Sequence, residues 1–194
     1  MKSRLSVPFR RKRERITNYR KRLVVLRSKF PRTVVRTSLK NIIIQLTTYN
    51  SEGDKVLLHA DSKELSKYGW LASGGNVPAA YLTGYLFGMR AKKHDMCEAI
   101  LDIGLHVSTK GSRVYAALRG MLDGGMNIPH DKECLPDEGR VSGKHITDYA
   151  ATLPKEQYQT RFSGYIKAGI EPASLEKYVT ATKKHIEGAR HGKE

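Results

Sequence analysis

Residues 33–59 of this 194-residue chain, TVVRTSLKNIIIQLTTYNSEGDKVLLH, carry the clearest indication of its fold. This stretch contains three runs rich in β-branched and other apolar residues, separated by polar residues. Such runs, interrupted by Ser, Asn, Gly and Asp, are typical of short strands joined by tight turns. The stretch therefore predicts a three-stranded antiparallel meander with turns at residues 37–41 and 50–54.

The residues that follow predict helices and a further strand. Asn76 and Pro78 have the pattern of a helix start, and Gly84 and Gly88 are expected to let that helix approach the sheet closely. Residues 97–103 form a short apolar run typical of a buried parallel strand. A strand, a helix and a parallel strand make a crossover. The predicted class is α/β, with α+β as an alternative: a mixed β-sheet with an antiparallel meander and one βαβ crossover, flanked by helices.

The chain is expected to divide into three segments. Residues 1–32 form a basic arm, residues 33–130 the mixed-sheet core domain, and residues 131–194 a C-terminal extension. Residues 131–154 are predicted to form a loop because they contain several Pro and Gly residues. Beyond them, the apolar spacing from Leu175 to Ile186 predicts a helix that must dock on the body or on a partner.

Composition narrows the function classes. Hydrophobic residues make up 39% of the chain, which excludes disorder throughout. No run approaches the ~20 apolar residues of a membrane-spanning helix. The first residues lead into charge rather than an apolar segment, so no secretory signal is expected. Two cysteines are too few for a disulfide framework and indicate a reducing compartment, the cytoplasm.

Positive charge is concentrated at the N-terminus. Residues 1–40 carry fifteen Lys or Arg and one acid, Glu14, out of a net charge of +16 for the whole chain. Residues 10–30 combine this charge with apolar residues at three- and four-residue steps, which predicts one basic amphipathic helix. Such a helix could bind an anionic membrane or RNA. The narrow apolar stripe and the excess of Arg over Lys favour RNA.

Two further clusters carry cations and hydroxyl groups. One is the first turn of the meander, and the other precedes a predicted helix that begins near Arg113, where free backbone N–H groups favour anions. The residues expected to bind RNA are Arg10, Arg11, Lys12, Arg13, Arg15, Tyr19, Arg20, Lys21, Arg22, Arg27, Arg36, Thr37, Ser38, Lys40, Asn41, Thr109, Lys110, Ser112 and Arg113. Ordinary turn formation and helix capping are the alternatives for the last two groups.

Catalytic and metal-binding alternatives have weaker support. Asp61, Asp102 and Asp123 would be the metal-binding carboxylates of an RNA-processing enzyme, with Asp102 in a buried strand. A zinc site would draw on His94, Cys97, His130 and Cys134, but 32 residues separate the two pairs. The favoured interpretation has no catalytic residue, cofactor, metal, membrane or small-molecule substrate.

Seven blocks of sequence, in order, resemble the family of large-subunit ribosomal protein L-eighteen in its longer archaeal form, whose eukaryotic counterpart is large-subunit ribosomal protein five. They are YRKRL (19–23), VVRTSLKNI (34–42), GNVPAAYLTG (75–84), TKGSRV (109–114), DGGMNIPH (123–130), GKHI (143–146) and FSGYIK (162–167). The resemblance implies a non-catalytic protein of the central protuberance that contacts 5S rRNA, 23S rRNA and neighbouring ribosomal proteins. It also implies that the arm, the turn at 36–40 and residues 110–113 face RNA.

Overall fold

The fold is built on a mixed sheet, and the computed structural model describes residues 6–189. Within this range four strands lie in the order β3-β2-β1-β4. The strands are β1 (Arg32–Thr37), β2 (Ile42–Thr48), β3 (Lys55–Asp61) and β4 (Ile100–Asp102). The first three pair antiparallel, and β4 pairs with β1 in parallel. The predicted α/β class, the meander and the crossover are confirmed.

The helices occupy the two ends of the chain and the connections around β4. They are α1 (Arg10–Arg13), α2 (Tyr19–Leu26), α3 (Val77–Lys93), α4 (Arg113–Asp123), α5 (Glu138–Ser142), α6 (Lys144–Thr152), α7 (Lys155–Arg161), α8 (Ser163–Lys167) and α9 (Leu175–Gly188). Short 3₁₀ segments lie at Ser62–Tyr68, Lys132–Cys134 and Pro172–Ser174.

Alternation along the strands separates a core face from an outer face. Val35, Ile44 and Leu46 are buried and pack with Phe87 of α3 and Leu118 of α4. Successive side chains of a strand point to opposite faces, so the residues between them face away from these helices. The sheet thus has one face covered by α3 and α4 and a second face left for other elements.

Helices α3 and α4 pack against each other at glycines. A methyl group built on Gly84 would overlap the carbonyl oxygen of Ala117, and one on Gly120 would overlap that of Tyr81. Gly88 and Gly124 repeat this contact one turn further along. The prediction that Gly84 and Gly88 bring α3 close to the sheet is therefore wrong: they bring it close to α4. The spacing showed a close approach but not the element approached.

Residues 131–154 are largely helical, which corrects the loop predicted for them. The 3₁₀ segment Lys132–Cys134 and helices α5 and α6 fill most of this range. The Pro and Gly residues stand at the ends of these short helices; Gly143, for example, ends α5 in the left-handed conformation. Pro and Gly favour helix boundaries as much as loops, which explains the error.

The predicted tail helix is confirmed as α9, and it docks on α3. Leu175, Val179 and Ile186 are buried in a second core that includes Trp70 and Leu82. The predicted face of this helix is therefore the buried face. Helix α3 is buried on both sides as a result, between the sheet and the C-terminal extension.

A polar network links α9 to α3 and also reaches α4. The Tyr81 hydroxyl donates to Asp123 Oδ2 at 2.7 Å and accepts from Lys183 Nζ of α9 at 3.1 Å. Lys183 Nζ also lies 4.8 Å from the centre of the Tyr85 ring. Burial and the Asp123 carboxylate raise the pKa of Tyr81, so this phenol stays protonated. The network therefore fixes the positions of α3, α4 and α9 relative to one another.

One other predicted element differs in extent. Strand β4 covers only Ile100–Asp102, at a sheet edge, and its residues are half-buried rather than buried. Just before β4, an isolated parallel bridge joins Glu98 to Asn127. The predicted arm and extension include residues 1–5 and 190–194, which lie outside the described residues.

Candidate nucleic-acid interface

The basic arm is two short helices rather than the single helix predicted for residues 10–30. Arg15 adopts a left-handed conformation with φ of 53°, and this ends α1. The Asn18 side chain then caps α2 by accepting from the Lys21 backbone N–H. Apolar spacing continues across the break, but neither helix buries a residue. Without packing against the body, the apolar spacing was not enough to stabilise one continuous helix.

The arm lies against the outer face of the sheet. A groove of about 560 Å³, here called the arm groove, separates them. Arg11, Lys21 and Arg22 line it from the arm, while Arg36 and Gln45 line it from the sheet. The face of the sheet that α3 and α4 leave uncovered thus carries the basic segment.

A network of ion pairs ties the arm to the sheet. Asp54, in the turn between β2 and β3, accepts from Arg22 Nη2 of α2 at 2.8 Å and from Arg32 Nη2 of β1 at 2.6 Å. Arg32 Nη1 also donates to Asp102 Oδ2 of β4 at 2.8 Å. Only 3% of the Arg32 side chain is exposed, so its charge requires these two carboxylates. We call these four residues the arm tether.

The sequence alone predicted other roles for the members of this network. It assigned Arg22 to RNA and Asp102 to a possible metal site, and it did not single out Asp54. Arg32 and Asp102 are 70 residues apart, and Arg22 and Asp54 are 32 apart. A local sequence pattern cannot predict ion pairs between residues so far apart in the chain. The one hint in the sequence was Asp54 itself, an acidic residue in a turn close to many basic residues.

Replacing Asp54 with Asn is expected to weaken RNA binding by roughly 2- to 5-fold, because the arm loses its tether and must be ordered on binding. Removing a negative charge from a basic surface would by Coulomb attraction alone strengthen binding. The two explanations therefore predict opposite signs in a filter-binding titration.

Glu52→Gln is the matched control for this test. Glu52 is exposed in the same turn, and its side chain forms no ion pair with any residue between 6 and 189. Its neutralisation changes the local charge by the same amount without touching the tether. Equal effects of the two substitutions would show that Asp54 does not position the arm.

The predicted RNA-binding side chains are mostly exposed. The exposed ones are Arg10, Arg11, Lys12, Arg13, Arg15, Arg20, Lys21, Arg27, Arg36, Ser38, Lys40, Thr109 and Lys110, and the half-buried ones are Tyr19, Arg22, Thr37, Asn41, Ser112 and Arg113. Tyr19 packs on Phe9, an exposed aromatic residue that sequence reasoning missed, with ring centres 5.4 Å apart. Exposed arm cations outnumber nearby acids, so the arm presents a surface of net positive charge.

The second predicted cluster gathers at one end of the sheet. The turn between β1 and β2 is closed by a hydrogen bond from the Ser38 N–H to the Asn41 carbonyl, 2.8 Å long. Gly75, just before α3, abuts the backbone of Leu39 so closely that a methyl group would overlap it. Arg113 Nη1 donates to the carbonyl oxygens of Ser38 and Gly75, at 2.7 and 2.9 Å. We call this region, comprising residues 37–41, 74–75 and 110–113, the turn end.

The members of the turn end differ in what they leave free. Lys110 pairs with Glu133 at 2.5 Å, but more than two-thirds of each side chain is exposed, so the pair contributes little and a phosphate can replace the carboxylate. Ser112 precedes α4, but its buried hydroxyl makes no cap and has no hydrogen-bond partner among residues 6–189. Arg36 and Lys40 are exposed beside the turn. With respect to residues 6–189, Lys40 of the turn end and the adjacent Arg36 form no ion pair, and the Lys110 pair is exchangeable.

Arg113→Ala is expected to lower the free energy of unfolding by roughly 1–3 kcal/mol, because two backbone carbonyls lose a charged donor. Arg36→Ala provides the comparison, since Arg36 is exposed. It should leave stability within about 0.5 kcal/mol of the parent. Urea denaturation measures both. Parent-like stability of Arg113→Ala would show that these two hydrogen bonds do not stabilise the fold and would leave the guanidinium available for the predicted contact with RNA.

The arm groove and the turn end are continuous. Arg36 lines the arm groove and directly precedes Thr37 of the turn end. The Thr37 backbone N lies 3.5 Å from Nε2 of His106, which also lines the groove. Sequence reasoning found the two regions separately, and the fold joins them into one basic surface.

The carboxylates considered for catalysis are separated and engaged. Asp61 caps the 3₁₀ segment Ser62–Tyr68, Asp102 belongs to the arm tether, and Asp123 accepts from Tyr81. Across residues 6–189, no three His, Cys, Asp or Glu side chains are grouped so that they could hold a metal ion. Cys97 and Cys134, named in the zinc alternative, are half-buried free thiols. In the same range no helix has the length and apolar character needed to cross a membrane.

Comparison with known proteins identifies the family. The profile of ribosomal large subunit proteins 60S L5 and 50S L18 matches residues 3–97 and 89–131. The chain belongs to this family. Large ribosomal subunit protein uL18 of Korarchaeum cryptofilum is 49% identical over 190 residues, which cover 97% of each chain. The uL18 of Methanococcus maripaludis is 46% identical over 188 residues, covering 96% of this chain and 97% of that one.

Family membership establishes the general role of the chain. As a member of the L5/L18 family, it is a protein of the large ribosomal subunit, and ribosomal RNA and other ribosomal proteins are its partners. The resemblance drawn from the seven blocks is confirmed. The similarity to uL18 extends over nearly the whole chain, so the C-terminal extension is shared with these relatives.

Proposed function

We propose that this chain binds 5S rRNA and anchors it to 23S rRNA in the central protuberance of the large subunit. The observation that supports this most strongly is the continuous basic surface made by the arm, the arm groove and the turn end. RNA phosphates repeat along a chain, and a surface of many separated cations matches such a polyanion better than a single small ligand. Arg, which is frequent in the arm, pairs with phosphate through two hydrogen bonds and stacks on bases.

The role we infer is structural and non-catalytic. The three carboxylates considered for metal binding all serve the fold, which supports a function without chemistry. In this proposal residues 1–32 bind RNA, and residues 33–130 form the core domain on which the arm docks. Residues 131–194 add a surface that contacts rRNA or neighbouring proteins. The arm tether supports this role for the core domain, because it fixes α2 on the sheet before RNA binds.

A titration of the full chain with 5S rRNA, at several salt concentrations and with tRNA as competitor, tests the proposal. We expect tight binding that tRNA does not displace, with a log–log salt slope of about −0.7 to −0.9 per neutralised phosphate. Competition by tRNA at equal concentration would contradict 5S specificity and leave a general polyanion-binding protein. The arm charge alone would produce the salt slope, so the competitor is the decisive component.

A further inference from the structure

The C-terminal extension contains an aromatic groove away from the basic arm. It is lined by His145, Ile146 and Tyr149 of α6 and by Arg161, Phe162 and Tyr165, and its volume is about 470 Å³. This volume lies in the ~300–1,000 Å³ range of small-ligand pockets. We call it the extension groove. From its geometry and its position, and building on the proposed function, we propose that it binds an unpaired nucleobase of ribosomal RNA.

The aromatic rings form a floor and two walls. Phe162, only 6% exposed, is the floor. Its ring centre lies 6.3 Å from that of Tyr149 and 5.6 Å from that of Tyr165, with interplanar angles of 54° and 79°. The Tyr149 side is open, since 42% of that residue is exposed. Bases in single-stranded RNA stack on aromatic faces presented in this way.

The polar groups of the groove favour RNA over an apolar peptide. Arg161 Nη1 donates to the Tyr149 hydroxyl at 2.6 Å, which holds the guanidinium beside that ring. An Arg held at the rim can stack on a base or pair with its phosphate. Burial and the nearby Arg140 lower the pKa of His145, so the imidazole is neutral at pH 7 and suited to an uncharged base. Among the residues that the structure describes, no carboxylate is part of the groove lining.

The groove also adjoins the basic surface already described. The Tyr165 hydroxyl accepts a 3.1 Å hydrogen bond from Asn76 Nδ2. Asn76 directly follows Gly75, whose backbone packs on the turn between β1 and β2 and whose carbonyl accepts from Arg113. An RNA strand lying on the turn end therefore passes close to the groove. A base turned out of that strand has an aromatic site within reach.

Ultraviolet cross-linking of intact large subunits, followed by mass spectrometry, identifies the occupant. We expect nucleotide adducts on the peptides that carry Tyr149 or Phe162. Cross-links from these peptides to another protein, without nucleotide adducts, would overturn the proposal in favour of a protein partner. Intact subunits contain both large-subunit rRNAs, so the base is detected whichever RNA supplies it.

A binding measurement with the purified full chain complements the cross-linking. Tyr149→Leu keeps an apolar side chain against Phe162 but removes the stacking face. We expect the affinity for 5S rRNA or for 23S rRNA to fall about 5- to 150-fold, the effect typical of losing one stacked base. Circular dichroism melting shows whether the variant is folded at the temperature of the titration.

Tyr49→Leu is the matched control. Tyr49 is 62% exposed and follows β2, at the end of the sheet opposite the turn end, so its replacement should leave both affinities unchanged. Parent-like affinity of folded Tyr149→Leu for both RNAs would overturn the groove proposal. The proposed function would then still stand if the parent chain bound 5S rRNA specifically. Failure of the parent to bind would instead reject the proposed function.

Discussion

Deleting residues 1–30 is expected to lower the affinity for 5S rRNA on the order of 10³-fold or more at about 0.15 M salt. The deletion removes most of the basic residues counted in the first forty, and the salt dependence of binding becomes flatter because fewer phosphates are neutralised. The body should remain folded, because α1 and α2 bury no residue and β1 begins at Arg32. Filter binding and far-ultraviolet circular dichroism measure the two effects separately.

A second variant separates arm charge from arm length. Six arm cations, namely Lys12, Arg13, Arg15, Arg20, Lys21 and Arg27, form no ion pair within the described part of the chain. Changing all six to Gln keeps the backbone and the arm tether. This variant should reproduce most of the loss of affinity and most of the change in salt slope. Parent-like binding by both the deletion and this variant would contradict the assignment of the arm to RNA.

Gly84→Ala is expected to lower the free energy of unfolding by about 3 kcal/mol or more, because the new methyl group would overlap a backbone carbonyl of α4, and a helix carbonyl cannot rotate away as a flexible side chain can. For a chain of this size that corresponds to a fall in Tm of roughly 6–12 °C. Gly120→Ala, on the facing helix, should behave in the same way. Differential scanning calorimetry measures the change.

Gly164→Ala is the control for this pair. Gly164 also lies in a helix, α8, but a methyl group built there meets no atom of another segment within 4 Å, as far as residues 6–189 are concerned. Alanine has the higher helix propensity, so this variant should equal the parent or exceed it by up to about 1 kcal/mol. If Gly84→Ala were as stable as Gly164→Ala, the close contact between α3 and α4 would be disproved.

Local sequence predicted the elements that are specified by neighbouring residues. The β-branched runs of residues 33–59 gave the meander because strand formation and turn chemistry act over a few residues. Asn76 caps α3 by accepting from the Ala79 N–H, as its position before Pro78 predicted. The buried face of α9 followed from apolar spacing in the same way. The count of charged residues identified the arm, because the net charge of a segment can be read from its sequence without knowing the fold.

Predictions failed where distant residues decide the outcome. The arm pattern continued through Arg15, but the backbone turns there and α2 is held by Asp54, 32 residues from Arg22. Local sequence also could not show that Arg113, whose contact with RNA stays a prediction, donates to two carbonyls that are 75 and 38 residues away in the chain. Only packing brings such partners together, so no window of sequence contains the information.

The order of residues was enough to predict the α/β class, the meander, the capped helix α3 and a basic N-terminal arm on a nearly neutral body. It did so because hydrogen-bonding turns, side-chain periodicity and charge are properties of adjacent residues. The folded structure was needed to show that Gly84 meets α4, that Asp54 and Asp102 share the buried Arg32, and that Tyr149, Phe162 and Tyr165 enclose a groove. These features depend on close packing and on charge burial between distant segments, and both arise only when the chain has folded.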